Sequence, residues 1–258
     1  MSLGLGNGVT RQIVLPAAFA PSALLSGVGD YGVVGNLSKL FQDTAGSATP
    51  VTADTQPVRS WAGELGSIRP WDWNSTAPFY DEATGSVSFL GTSLKLLGAS
   101  GTMAAVPAGT PVTAMFYASF SVAGAAPNTG AVAFNAAISL GGPIDPLENS
   151  GTSGVMTKLD GASGYETVTH ADQGTGWFLC AMVFPNDGVT PNKMYVNGPG
   201  GKTFSTLTGV SNQEIGYFDL RTVSGYAGYM RIKGWAFGAL TMTEANLDNM
   251  HAWFGSNA

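Results

Sequence analysis

The residues best suited to recognising a ligand form one short cluster. Trp71, Asp72, Trp73 and Asn74 follow one another between two prolines. An aromatic ring can stack on the C–H face of a sugar, while carboxylate and amide groups can hydrogen-bond its hydroxyls. In an extended chain both indoles lie on one face, with Asp72 and Asn74 on the other. The cluster predicts a carbohydrate-binding site, and the alternative is that both indoles anchor a core or an interface.

Groups that could perform catalysis are sparse. Asp81 and Glu82 are adjacent, so on a strand their carboxylates would face opposite sides. Neither His170 nor His251 has partners at the spacing of a metal site. We therefore expect a protein that is not an enzyme.

No cofactor is predicted from the sequence. Loop carboxylates such as Asp145, Asp160 and Asp187 could bind calcium, but nothing in their spacing selects them.

Composition limits the class of partner. The chain has 258 residues, a net charge of −6 and 11% charged residues, against about 25% in an average domain. Its Lys and Arg residues are scattered singly, so nucleic acid is not an expected partner. With 44% hydrophobic residues, neighbouring subunits could cover much of the surface. The alternative is a monomer with a neutral polar surface.

Export and membrane insertion are not expected. Pro16 and Pro21 interrupt the apolar run that a signal peptide would need, and the sequence contains no apolar segment long enough to span a bilayer. Cys180 is the single cysteine, which excludes an intrachain disulfide. Its apolar neighbours favour a buried, inert thiol, and a reactive thiol is the alternative.

The last third of the chain predicts three strands, at residues 176–184, 193–198 and 229–238. Asn197-Gly198 predicts a tight hairpin turn. Arg231 and Lys233 alternate with apolar residues, as expected of a strand with one buried face.

A short C-terminal helix is predicted to follow these strands. Thr243 is the expected N-cap, and Leu247, Met250, His251 and Phe254 recur at helical spacing on one face. Gly255 is the expected stop.

The order of a Trp-led strand, a Tyr-Val-Asn-Gly turn, a twisted strand and a Leu-Thr-x-Thr-Glu helix resembles the closing half of a laminin-G-like, concanavalin A-like jelly roll. The resemblance implies an all-β sandwich used for binding. Glycosidases of this class carry a Glu-x-Asp-x-x-Glu strand, and no such spacing occurs in this chain.

The middle of the chain supplies the remaining strands, predicted at residues 86–90, 112–122 and 131–138. Residues 141–164 are rich in Gly, Ser, Asp and Pro and predict a long loop. Such a loop forms a contact surface with a partner, and the alternative is a surface loop that is tolerated without a specific role.

The N-terminal residues differ from the rest of the chain in their pattern of residue types. We predict an extended arm over residues 1–25, followed by the sandwich domain over residues 26–258. Ile13, Val14, Leu15 and Phe19 are the apolar residues expected to bind a partner. The alternative is a first strand that pairs within the domain.

A second resemblance covers residues 19–61. A Phe-x-Pro-x-x-Leu element at residues 19–24 precedes Leu-Phe-Gln-Asp-x-Ala-Gly-x-x-x-Pro-Val-Thr-Ala-x-x-x-Pro-Val from Leu40. This sequence is similar to a motif in bacteriophage virion proteins with jelly-roll domains, and we term it the virion-like motif. Where those proteins have an acidic Tyr-Asp-Pro-Ser-Asp element, this chain has Tyr-Gly-Val-Val-Gly at residues 31–35, which puts a metal or sugar role for that loop in doubt.

The resemblance implies a structural virion component, with capsid decoration or a head fibre favoured over a tail fibre or baseplate. Expected partners are major capsid or tail proteins and further copies of the chain, as a homotrimer. The expected location is the virion, after synthesis in the bacterial host cytoplasm. The alternative is a module that binds a host surface glycan.

Overall fold

Two antiparallel β-sheets pack face to face in the computed structural model of the chain. It describes residues 19–44, 48–72, 77–89, 95–98, 106–120, 155–158, 165–168, 171, 173–212, 214, 219–221 and 230–258. None of the described helices has the length and apolar character required to cross a membrane.

Strands are the main regular element of the described chain, with a helix near each end of it. The helical elements are α1 (Pro21–Leu25), the 3-10 turn η1 (Leu37–Lys39) and α2 (Glu244–Asn257). The strands are β1 (Gly29–Val33), β2 (Leu40–Phe41), β3 (Ser60–Trp61), β4 (Pro70–Asp72), β5 (Phe79–Asp81), β6 (Ser86–Ser88), β7 (Lys95–Gly98), β8 (Val112–Phe120), β9 (Val155–Lys158), β10 (Tyr165–Val168), β11 (Phe178–Phe184), β12 (Pro191–Gly198), β13 (Gly201–Val210), β14 (Asp219–Arg221) and β15 (Met230–Gly238).

The larger sheet is organised around β15. Strand β8 pairs along one edge of β15, and the short strands β1 and β6 share its other edge. The sheet continues from β8 through β11 and β12 to β13, and from β6 to β5. The smaller sheet has the order β14-β7-β4-β3-β2, and β9 pairs with β10.

The main core lies between the two sheets. It joins Leu40 and Trp61 of the smaller sheet to Phe116, Phe178 and Trp235 of the larger sheet. The Trp61 and Trp235 rings meet edge to face, with centroids 6.5 Å apart. The predicted β-sandwich is therefore confirmed.

A second apolar cluster lies on the outer face of the larger sheet, under α2. Leu247, Met250 and Phe254 of the helix are buried there, and Thr243 caps the helix by accepting a hydrogen bond from the Asn246 N–H at 3.2 Å. These predictions are confirmed. The helix does not stop at Gly255, because that glycine keeps a helical backbone and the last turn continues to Asn257.

The strands predicted around β6, β8, β11 and β15 are confirmed. Every residue of β11 is buried, because the smaller sheet covers one of its faces and the α2 cluster covers the other. A strand buried on both faces reads as a continuous apolar run rather than an alternation. Cys180 lies within it as a buried thiol, and burial raises the pKa of that thiol.

The β12–β13 hairpin turns later than predicted. Asn197 pairs with Lys202 and Gly198 with Gly201, so the turn is formed by Pro199 and Gly200. Gly198 is needed for another reason, since a Cβ at this position would collide with Phe178.

The predicted loop over residues 141–164 contains strand β9, which pairs with β10. A four-residue strand inside a Gly-rich passage leaves too short a pattern to recognise. The other residues of that loop, and the strand predicted at residues 131–138, lie outside the described residues.

The folded domain begins earlier than predicted. Pro21–Leu25 form α1, and Leu25 is fully buried, so these residues are not an extended arm. Phe19 packs against the cluster under α2. Residues 1–18 lie outside the described residues.

Candidate functional site

Trp71, the first ring of the predicted sugar-binding cluster, lies on the outer face of the smaller sheet. It pairs with Ser60, which alternates along β3 with the core residue Trp61. Because directly opposed residues share a face, the half-buried Trp71 indole points away from the core. The other predicted members are Asp72, at the end of β4, and Trp73 and Asn74, outside the described residues. The described part of the chain therefore does not assemble this cluster.

The predicted partner-binding arm is described only at its end. Phe19 is partly buried against the α2 cluster, so it serves the domain's own packing. Ile13, Val14 and Leu15 lie outside the described residues.

Several described residues of the virion-like motif hydrogen-bond to one another. The Gln42 N–H donates to the Thr49 carbonyl at 2.7 Å, and Asp43 accepts the Thr49 N–H at 3.0 Å. Gln56 accepts the Thr52 N–H at 2.7 Å, while Leu40 is fully buried in the core. The described residues of this motif therefore contribute to the local structure and to the core.

A surface that the sequence did not suggest lies beside α2, and we term it the aromatic patch. Its members are half-buried side chains from four separate parts of the chain. They are Tyr31, Trp177, Lys233, His251 and Trp253.

The patch is built on a stack of rings. The Tyr117 ring, buried on β8, stacks on the Trp177 ring and on the Phe254 ring, with centroids 5.8 Å apart in both pairs. The Trp253 ring meets Phe254 edge-on at 5.4 Å and Tyr31 at 5.4 Å. The rings therefore form one continuous network across β1, β8 and α2.

Different elements position the members of the patch. Tyr31 pairs with Ala236 across β1 and β15, and that register places it on the face covered by α2. Lys233 lies where the β15 register shifts between Ile232 and Gly234. This irregularity brings its ammonium to 4.6 Å from the centre of the Trp177 ring, a cation–π contact.

Burial lowers the pKa of His251, and the Asp248 charge opposes that shift. Burial also raises the pKa of Tyr31, with Glu64 and Asp30 acting in the same direction. At neutral pH the patch therefore combines flat apolar rings with neutral phenol and imidazole groups and one lysine cation.

Sequence reasoning missed this patch because its members are far apart in the chain. Trp177 precedes an apolar strand, and Trp253 lies within a helix assigned a packing role. Only the pairing of β1 with β15 and the seating of α2 bring them together.

No group of three or more His, Cys, Asp or Glu suited to a metal occurs among the residues that the structure describes. Asp187, considered for calcium, is exposed and accepts bonds from Thr190 and Val189, and these bonds lower its pKa to about 2. The Oδ2 atom of Asp81 lies 3.4 Å from Nε of Arg231, an ion pair. These carboxylates have local structural partners.

The sequence matches no protein-family profile, and no characterised protein is recognised as its relative. The fold resembles solved structures at low identity. A tryptophan-to-alanine mutant of HCR/D matches with a TM-score of 0.50 and 11% identity, covering 76% of this chain and 49% of that one. Peanut lectin with a 9-residue peptide matches with a TM-score of 0.47 and 13% identity, covering 72% and 96% of the two chains.

Trypanosoma rangeli sialidase in complex with 2,3-difluorosialic acid matches with a TM-score of 0.49 and 10% identity, covering 92% of this chain. This chain spans 35% of the sialidase chain. The likenesses concern the fold alone, which is a jelly-roll sandwich of the concanavalin A-like class.

Proposed function

We propose that this protein is a non-enzymatic recognition module that binds a glycan on the aromatic patch. The observation that carries the proposal is the continuous ring network from Trp177 through Tyr117 and Phe254 to Trp253 and Tyr31. Its rings are held by β1, β8, α2 and the residue that directly precedes β11.

The chemistry of the patch suits a sugar. Pyranose C–H faces stack on aromatic rings, and their hydroxyls need donors and acceptors around the rim. The Lys233 ammonium, the Tyr31 hydroxyl and the His251 imidazole supply such groups. The Trp177 ring is already oriented by Tyr117 and Lys233, so little side-chain freedom is lost on binding.

The test is an array of bacterial surface glycans probed with the full chain and two variants. Trp177→Ala should weaken binding about tenfold, equivalent to losing one aromatic contact. Trp71→Ala, on the opposite sheet, is the matched control and should bind as the wild type does. A blank array would overturn the glycan proposal, and loss in Trp71→Ala alone would move the site to the smaller sheet.

The non-enzymatic part of the proposal has its own test. Among the described carboxylates, Asp81 lies beside Arg231 and Asp30 is saturated by backbone N–H groups, which supports a binding role. Incubation with polysaccharides should release no reducing ends. Any reproducible cleavage would contradict this part.

We also propose that the module is a structural component of a bacteriophage virion, attached through its N-terminal residues to capsid or tail proteins and assembled as a homotrimer. The proposal is supported by the resemblance of residues 19–61 to virion proteins, and hydrogen bonds position Gln42, Asp43 and Gln56 of that motif. Cryo-electron microscopy of purified particles should reveal the sandwich on the shell or tail. Absence from the particle would overturn this proposal and leave glycan binding unaffected.

A further inference from the structure

The Lys233 ammonium lies over the Trp177 ring of the aromatic patch, 4.6 Å from the centre of that ring. The Tyr117 ring stacks on the same indole and holds it in place. Trp177 and Lys233 are both half-buried, so each keeps part of its surface open to solvent. A sugar that stacks on this indole therefore meets the ammonium, and the group that the sugar presents there affects how tightly it binds.

A β-bulge places Lys233 beside the patch. The register of β15 against β8 shifts between Ile232 and Gly234, so that Lys233 is an extra residue on β15. Ile232 and Trp235 both enter the main core although they are three residues apart, which breaks the alternation of an ordinary strand. Bulges of this kind redirect side chains and occur often beside functional sites. The position of the Lys233 ammonium is therefore built into the sheet.

The Lys233 charge has no carboxylate partner among the residues that the structure describes. The neighbouring cation of β15, Arg231, is paired with Asp81, with Nε 3.4 Å from Oδ2. A partly buried cation has lost some of its hydration, which favours an opposite charge beside it. Lys233 therefore differs from Arg231 in that its charge is available to an anionic ligand.

The carboxylates that border the patch are engaged elsewhere. On the side of Tyr31, both oxygens of Glu64 accept hydrogen bonds from the Asn36 amide, at 3.1 and 2.9 Å. On α2, Asp248 accepts the Lys202 ammonium at 3.0 Å. These contacts keep both carboxylates with their own partners, so the charge at the Trp177 end of the patch is positive.

We infer that the aromatic patch selects acidic sugars and that Lys233 is the residue that recognises the sugar carboxylate. This inference rests on the proposed glycan binding. A hexuronic acid stacks a C–H face on Trp177 and accepts a charge-assisted hydrogen bond from the ammonium. The adjacent rings exclude part of the water, which strengthens this ion pair. The chain carries a net charge of −6, so selectivity for an acid comes from this local contact and not from long-range attraction.

Paired probes test the inference in the full chain. Bacterial surface polysaccharides that contain hexuronic acids are immobilised in their native form and after chemical reduction of the carboxyl groups to neutral CH₂OH groups, which leaves the sugar rings unchanged. The wild type should bind the native form at least about tenfold more tightly, as expected from one hydrogen bond to a charged group. Lys233→Met keeps an apolar stem without the charge and should bind both forms alike. Lys233→Arg should retain the preference.

Lys193→Met is the matched control. The Lys193 ammonium lies 5.4 Å from the centre of the Phe204 ring, so this substitution removes the same charge and the same kind of contact from a ring outside the aromatic patch. It should keep the wild-type preference for the native form. An equal loss of preference in Lys193→Met and Lys233→Met would overturn the inference, because it would reflect the charge of the whole protein.

The remaining outcomes separate the inference from the proposed function. Equal binding of native and reduced polysaccharides by the wild type would overturn the inference and leave glycan binding in place. An undiminished preference in Lys233→Met would also overturn it and assign that lysine a packing role. Absence of binding to both forms would overturn the inference together with the proposed function.

Discussion

His251 is the residue of the aromatic patch whose protonation changes with the pH of the solvent. Its ring lies 5.9 Å from the Tyr117 ring, and burial lowers the pKa of the imidazole while Asp248 on the same helix opposes the shift. The neutral imidazole is therefore the form that the folded protein prefers. The His251 imidazole binds a proton more tightly in the unfolded chain, where it is fully hydrated, than in the folded protein.

We predict that acidification destabilises the protein through this residue. A histidine pKa below its ordinary 6.5 in the folded state means that the unfolded chain binds the proton first. The free energy of unfolding should then fall as the pH drops from about 7 to 5. His251→Gln should reduce this fall, as measured by urea unfolding at both pH values.

His170→Gln is the matched control for this prediction and should keep the wild-type fall. The pKa of Asp248 is also displaced, since burial raises it but hydrogen bonds from Tyr195 and Lys202 lower it overall. The contribution of the Asp248 carboxyl to the free energy of unfolding is lost only below about pH 4, outside the measured pH range. A full wild-type fall in His251→Gln would contradict the assignment.

At the scale of elements, β15 and α2 are shaped for each other. Gly234 of β15 faces the Phe254 ring of α2, and a Cβ at this glycine would collide with that ring. Phe254 is fully buried and stacks on Tyr117. Because Gly234 of β15 has no side chain, there is room for Phe254, the largest fully buried side chain of α2.

We predict that Gly234→Ala destabilises the protein by about 2 kcal/mol through overpacking, and that Phe254→Ala does so by about 4 kcal/mol. In the double variant the cost of the glycine substitution should fall by at least about 1 kcal/mol, because the collision with the ring is relieved. A double-mutant cycle by urea denaturation measures this coupling.

Gly255→Ala is the control for the Gly234→Ala substitution. Its added Cβ would meet only the Tyr117 hydroxyl at 3.5 Å, an ordinary contact. Alanine at this helical position should be neutral or stabilising by up to about 1 kcal/mol. Strict additivity of Gly234→Ala and Phe254→Ala would show that the two elements do not constrain each other.

For the whole molecule, the packed core includes residues from Phe19 onwards. Leu25 is completely buried and packs beside Gly238 and Leu240, while Phe19 covers part of the α2 cluster. The start of the sandwich and its far C-terminal helix therefore stabilise one another.

We predict different outcomes for two truncations. Deleting residues 1–18 should change the free energy of unfolding by less than about 1 kcal/mol, because the two described core clusters begin at Phe19. Deleting residues 1–25 should cost at least about 3 kcal/mol, the scale of removing one buried leucine. Urea unfolding measures both, and equal stability would contradict the domain boundary.

The sequence alone determined the elements whose patterns are local. The continuous apolar run of β11, the alternation of β15 around Arg231, and the Thr243 cap with its amphipathic helix are all properties of neighbouring residues. Such patterns reflect the periodicity of a strand or helix and need no knowledge of the partner. They were sufficient to predict a β-sandwich with a C-terminal helix.

Tertiary structure alone decided which distant residues meet. The turn at Pro199 and Gly200, the contact of Gly234 with Phe254, and the joining of Tyr31 to Trp253 depend on strand register and helix seating. Register follows from the sum of many side-chain contacts across strands and not from a local pattern. For that reason the sequence predicted aromatic recognition chemistry, whereas the aromatic patch is visible only in the folded chain.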